Sequence, residues 1–126
     1  MTVIVTDHGF GPDTDTAWHD LSADTAMTSL PEIAHTAHAI RITFASFADG
    51  RGFTLAAALR RAGFAGRLRA AGHVIADQYA MARRSGFDEV EISTQLATRQ
   101  PEEQWRARAN WQAHGYRAMF QHSRSG

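Results

Sequence analysis

GRLRAAGHVIADQ, residues 66–78, divides into two patterns that meet at Gly72. In the first, Leu68 and Ala70 alternate with Arg67 and Arg69, which predicts a strand over 67–71 with one apolar and one charged face. In the second, an alanine-rich run predicts a helix over 73–84, stopped by Ser85-Gly86. The same order recurs on both sides. Residues 40–45 read as a strand with Ile40, Ile42 and Phe44 opposite Arg41, Thr43 and Ala45, followed by a helix over 53–62 that Gly63 is suited to close. Residues 89–93 read as a third strand, with Val90 and Ile92 opposite Glu89 and Glu91. Pro101 then opens a helix expected to run to about residue 120, with Trp105, Ala109, Gln112, Tyr116 and Phe120 near one stripe and Gly115 as a weak point.

Alternating strands and helices imply parallel pairing with right-handed crossovers. A parallel sheet covered on both faces has continuously apolar strands, whereas these three are apolar on one side only. A sequential strand order, which sends every crossover to the same face, accounts for this. The expected fold is therefore α/β: three or so parallel β/α units in sequential strand order, a partial (β/α)-barrel-like sheet with helices on one face, and an N-terminal arm. The other face is polar, either open or buried by the arm or by a partner subunit. A repeated Gly-Phe pair, Gly63-Phe64 and Gly86-Phe87, leads into the second and third strands.

Ahead of this region, residues 2–5 (TVIV) read as a short edge strand and DHGFGPDTDT, residues 7–16, as turn and loop. Trp18 and Leu21 are positioned to pin the arm to the body. SLPEIAHTAHA predicts a short helix, with capping-box spacing between Ser29 and Glu32 and Pro31 in the first turn. The division is one α/β domain, with arm and short helix over 1–39 and the β/α units and C-terminal helix over 40–121.

Composition narrows the chemistry. The 126 residues suit one core and are too few for a complete eight-fold barrel of roughly 250 residues. Thirteen basic residues balance thirteen acidic ones, so charge points neither to nucleic acid nor to a membrane surface. All thirteen are arginine, which excludes a Schiff-base lysine and a Walker-type lysine. The absence of cysteine excludes disulfides, thiolate nucleophiles and cysteine-ligated clusters, and fits a cytoplasmic protein. The sequence has neither a bilayer-spanning apolar stretch nor the marks of a signal peptide.

The candidate site residues gather where strands would end and helices begin, the edge at which α/β folds collect ligands. Asp49-Gly50-Arg51-Gly52 combines a guanidinium fork with glycines that let backbone N–H groups approach an anion. The plainer reading is that Asp49 caps a turn and Arg51 pairs with a nearby carboxylate. Arg67 and Arg69 with Glu89 and Glu91 could line a charged site or form a cross-strand ion-pair ladder. His73 and Asp77, four apart, would share one face of the expected helix, where an aspartate-oriented histidine could act as a base or simply complement the helix start. Gln78 follows. His35 and His38 are a weak metal signal without a third ligand, and His114, His122 and the SRSG ending read as a terminus. No cofactor fingerprint is present: there is no G-x-G-x-x-G and no convincing metal set.

Three blocks, FASFADGRGF, GRLRAAGHVIADQ and SGFDEVEIS, resemble the bacterial domain-of-unknown-function family numbered 934. Its members carry F-x-x-F-T-D-G-R-G-[YF], then G-E-L-R-A-x-G-D-V-x-x-D-Q, then C-G-F-D-A-F-E-L. Order and spacing agree from about Phe44 to Ile92. Trp18, His19 and Leu21 echo the family's W-x-x-L, and GYRAMFQ its aromatic-rich close. On this resemblance Asp49, Gly50, Arg51, Gly52, Arg69, Gly72, Asp77, Gln78, Phe87, Asp88 and Glu91 fall on family positions. The chain departs at Ala45-Ser46, where Pro-Lys is usual, at His73, where aspartate is usual, and at Ser85, where cysteine is frequent.

Members are labelled probable oxidoreductases involved in sulfite reduction. The resemblance therefore implies a cytoplasmic role in sulfur assimilation, with sulfite reductase or a small oxyanion as partner. The residues themselves favour an accessory or small-oxyanion-binding protein over a self-contained oxidoreductase, which would need a cofactor. The alternatives are a homodimeric interaction module without catalysis, closed through the polar sheet face, or a cofactor-dependent oxidoreductase. Candidate ligand residues are Asp49, Gly50, Arg51, Gly52, Arg69, His73, Asp77, Gln78 and Glu91.

Overall fold

The computed structural model of the chain describes residues 2–14 and 16–112. Its centre is a six-stranded mixed sheet formed by β1 (Thr2–Thr6), β2 (Gly9–Gly11), β3 (His19–Ser22), β4 (Ala39–Phe44), β5 (Arg67–Gly72) and β6 (Glu89–Ser93), in the order β2-β1-β6-β5-β4-β3. Strands β3 to β6 are parallel neighbours, while β1 runs antiparallel to both β6 and β2. The sheet is open. The barrel-like expectation is thus corrected: an N-terminal hairpin, turned through Asp7-His8, extends one side of the sheet and ends its parallel pairing.

That hairpin also corrects two local expectations. Residues 2–5 are an inner strand rather than an edge, which explains why Ile4 and Val5, on opposite faces, are both buried. The loop after them contains the true edge strand, β2. Gly9 has φ 111°, and a side chain there would run into Glu102, whose Oε2 accepts the Phe10 N–H at 2.8 Å. Strand β3 was hidden in sequence because only Leu21 of its four residues is buried.

The crossovers are α1 (Leu30–Thr36), α2 (Arg51–Arg61) and α3 (Tyr79–Ser85). They cover the apolar face, packing Leu30, Leu55, Leu59, Tyr79 and Ala82 against Ile40, Ile42, Leu68, Val90 and Ile92. The Ser29–Glu32 capping box does not form. A 3-10 turn over Met27–Ser29 runs straight into α1, so Ser29 is already helical and its side chain makes no cap bond. The helix expected over 73–84 starts later, as a 3-10 turn at Ala76–Gln78 leading into α3. His73 and Asp77 therefore do not share a helix face. Gly63 (φ 99°) and Gly86 (φ 115°) follow α2 and α3 in left-handed conformation.

After β6 come α4 (Thr94–Arg99) and α5 (Glu102–Arg106), separated at Gln100 and Pro101. The long final helix expected over 101–120 is corrected, since within the described residues α5 ends at Arg106 and Ala109 and Gln112 lie beyond it. Trp105 still enters the core. Gly115, Tyr116, Phe120, His114, His122 and the SRSG ending lie outside the described residues. Among the described residues no helix is long and apolar enough to cross a membrane.

The N-terminal arm covers the polar face, for a topological reason. Strands β2 and β3 are opposite edges, so the chain from Gly11 to His19 must cross the whole sheet. Five inter-strand steps make roughly 24 Å, and eight residues reach about 27 Å at full extension, so the crossing is nearly taut. It passes over a charged row. Arg67 forms a fork with Glu89 (2.6 and 2.9 Å) and donates to the Thr14 and Thr16 hydroxyls. Arg69, completely buried, donates to Glu89, Glu91 and Asp13. Arg41 bridges Asp20 and Glu91. Trp18 lies over all three guanidiniums, nearest Arg69 at 4.4 Å. Burial works against the Arg69 charge, and its bonds to Glu91, Asp13 and Glu89 outweigh it, raising the guanidinium's pKa.

Candidate functional site

The loop between β4 and α2 is a self-satisfied clasp. The Asp49 carboxylate accepts from the Arg51 backbone N–H (3.1 Å), Nε (3.0 Å) and Nη2 (2.9 Å). Asp24, beyond β3, accepts from Arg51 Nη1 at 2.6 Å. The Arg51 side-chain bonds, then its backbone N–H, hold Asp49 below the usual carboxylate range. Asp49 and then Asp24 push Arg51 upward. An approaching anion would meet two carboxylates around one guanidinium. Gly50 adopts an ordinary right-handed conformation and has open space around its Cα, so it serves as the helix start without strain. Gly52 has a packing role: a Cβ there would collide with the Phe44 ring.

The β5–α3 turn lies beside it. Gly72 has φ 102°, and a Cβ would come within 2.7 Å of the Phe44 carbonyl. That carbonyl accepts the His73 N–H (3.1 Å) and faces its Nδ1 at 3.2 Å. The exposed imidazole meets Phe47 edge to face, with centroids 5.1 Å apart. Gln78 ties the turn to the neighbouring loop: its Oε1 accepts from the Ile75 N–H, and its Nε2 donates to the Phe47 carbonyl at 2.8 Å.

The third wall comes from the end of β6. Ser93 Oγ accepts the Leu96 N–H at 3.1 Å, which starts α4. Gln100 fixes the other end of that helix, where its Oε1 accepts from the Ala76 N–H and its carbonyl from Trp105 Nε1. Between these walls lies a cleft of about 400 Å³, lined by Phe47, Gly72, His73, Ser93, Gln95, Leu96 and Arg99. Among the described residues Arg99 has no carboxylate within ion-pair distance. Ser93 Oγ accepts one bond and retains its hydroxyl proton for another partner.

The nine sequence candidates therefore occupy separate places. Asp49, Gly50, Arg51 and Gly52 form the clasp, and His73 lines the cleft. Gln78 holds the loop above the cleft. Arg69 and Glu91 lie on the opposite side of the sheet under the arm. Asp77 pairs with Arg108 on the surface. Sequence reasoning missed Phe47, Ser93, Gln95, Leu96 and Arg99. The available signal was position, since residues 93–99 begin at the last residue of the third strand as Gly72-His73 begin at the end of the second. Among the described residues no group of three or more His, Asp or Glu is placed to hold a metal ion.

A partly buried carboxylate lies at the opposite end of the sheet. Asp7, in the hairpin turn, accepts from the Tyr79 hydroxyl (2.5 Å), from Arg83 Nε and Nη2 (3.2 and 3.1 Å) and from Trp111 Nε1 (3.2 Å). Burial pushes its pKa up, and these donors together outweigh burial and hold it low. This cluster joins β1, α3 and the segment after α5 without opening onto the cleft.

The model of a family described as "Bacterial protein of unknown function (DUF934)" matches residues 20–125. No curated protein and no solved structure matches.

Proposed function

The chain belongs to the bacterial family DUF934, and we propose that it is a cytoplasmic accessory protein that binds a small oxyanion in the cleft between Phe47, His73 and Arg99. One observation carries this reading. Arg99 is a guanidinium without a carboxylate partner among the described residues, in a cleft at the C-terminal ends of the parallel strands β5 and β6. Arg51, the stronger candidate in sequence, is already held by two carboxylates. A fork of N–H donors suits sulfite or sulfate, and the Ser93 hydroxyl adds a neutral donor. The association with sulfite reduction implied by the family resemblance makes sulfite the first anion to test.

The test is calorimetric titration of sulfite and sulfate at low ionic strength. Arg99→Gln is expected to weaken binding at least tenfold, and Arg51→Gln to leave it within about twofold. Unchanged binding in Arg99→Gln, or loss only in Arg51→Gln, would overturn the assignment.

A further inference from the structure

An inorganic oxyanion leaves most of the cleft unfilled. At about 30 Å³ for each water-sized unit, a sulfite-sized ion occupies roughly a quarter of the 400 Å³, a volume within the range of sites that hold small organic molecules. The remaining wall is mixed, with His73 and Gln95 as its polar side chains. Leu96 and the Phe47 ring contribute apolar surface, and Phe47 is 41% exposed. Phe47 is also deliberately held. Gln78 reaches from the β5–α3 turn to bond its carbonyl, and the ring rests edge to face against His73. An exposed aromatic side chain on a backbone pinned from a second loop is a preformed contact surface, with little ordering left to lose on binding.

Resting on the anion-binding reading above, we propose that the cleft takes an organic anion, a sulfonate or carboxylate head joined to a flat apolar body. The head lies against Arg99 and the Ser93 hydroxyl, and the body against Phe47 and Leu96. The guanidinium supplies the charge-assisted bonds for the head. The aromatic ring supplies contact that an inorganic ion cannot use.

Benzenesulfonate, methanesulfonate and sulfate serve as probes, titrated against the full chain. The expected order is benzenesulfonate at least tenfold tighter than sulfate, with methanesulfonate between. Phe47→Ala, which removes an aromatic side chain that is 41% exposed, should bring the ratio of benzenesulfonate to sulfate affinity close to one. Arg99→Gln should weaken all three. Equal binding of sulfate and benzenesulfonate, both lost in Arg99→Gln and neither changed in Phe47→Ala, would overturn this inference and leave the oxyanion reading standing. No binding of any probe would overturn both.

Discussion

The Trp18 indole lies over the Arg69 guanidinium, 4.4 Å from its carbon to the ring centroid, and thereby fixes the arm that crosses the sheet. Arg67 and Arg41 face the same ring at 5.1 and 5.8 Å. A desolvated cation–ring contact contributes up to about 2 kcal/mol, so Trp18→Ala should destabilise the fold by about 2 kcal/mol. Urea denaturation measures the loss. Hydrogen exchange should show the arm's amides losing protection before those of β4 and β5.

Arg69 is the buried centre of that network. Removing one partner of a buried ion pair leaves an uncompensated charge and costs about 3–5 kcal/mol. Arg69→Ala removes the guanidinium shared by Glu89 and Glu91, leaving the almost fully buried Glu89 to Arg67 alone and Glu91 to Arg41 alone. It should lose stability in that range, and adding Glu89→Gln should recover part of it. A double-mutant cycle in urea reads the coupling.

Asp7 gives the protein an acid limit. Its folded-state pKa lies below its usual value, so its stabilisation is present above the unfolded value near pH 4 and disappears as pH falls through the folded value. Asp7→Asn should therefore be less stable than wild type at pH 7, with the difference closing in strong acid. Burial and then Asp7 raise the Tyr79 phenol. Its stabilisation is complete below about pH 10 and declines as pH rises beyond that. Tyr79→Phe should lose about 1–2 kcal/mol at neutral pH and lack this alkaline decline. Thermal denaturation across pH checks both.

Gly72, which lines the cleft, and Gly52, in the clasp, should resist the smallest substitution. Gly72→Ala meets both positive φ and the Phe44 carbonyl, and Gly52→Ala meets the Phe44 ring. Each should cost about 1–3 kcal/mol by overpacking or strain. Gly50→Ala, with open space around it, should be close to neutral. Melting temperatures of the three variants make the comparison.

Strands β4, β5 and β6 were readable because each alternates apolar and polar residues, and the single apolar face followed from Ile40, Leu68 and Val90. Strand β3 was not, because its contribution to the core is one side chain, Leu21. The antiparallel hairpin was hidden by a glycine-rich turn that reads as loop. The site was legible only as an edge. Sequence drew attention to Arg51 because it stands among glycines, but its charge balance depends on Asp24, 27 residues away. Arg99 and Phe47 carry no local motif, and only the convergence of three loops brings them together.

The most direct test of the account is a crystal soaked in selenate, located by its anomalous scattering. The account predicts a selenium peak in the cleft, with oxygens within hydrogen-bond distance of Arg99 and Ser93. A peak on the Asp49–Arg51 loop with the cleft empty would contradict it.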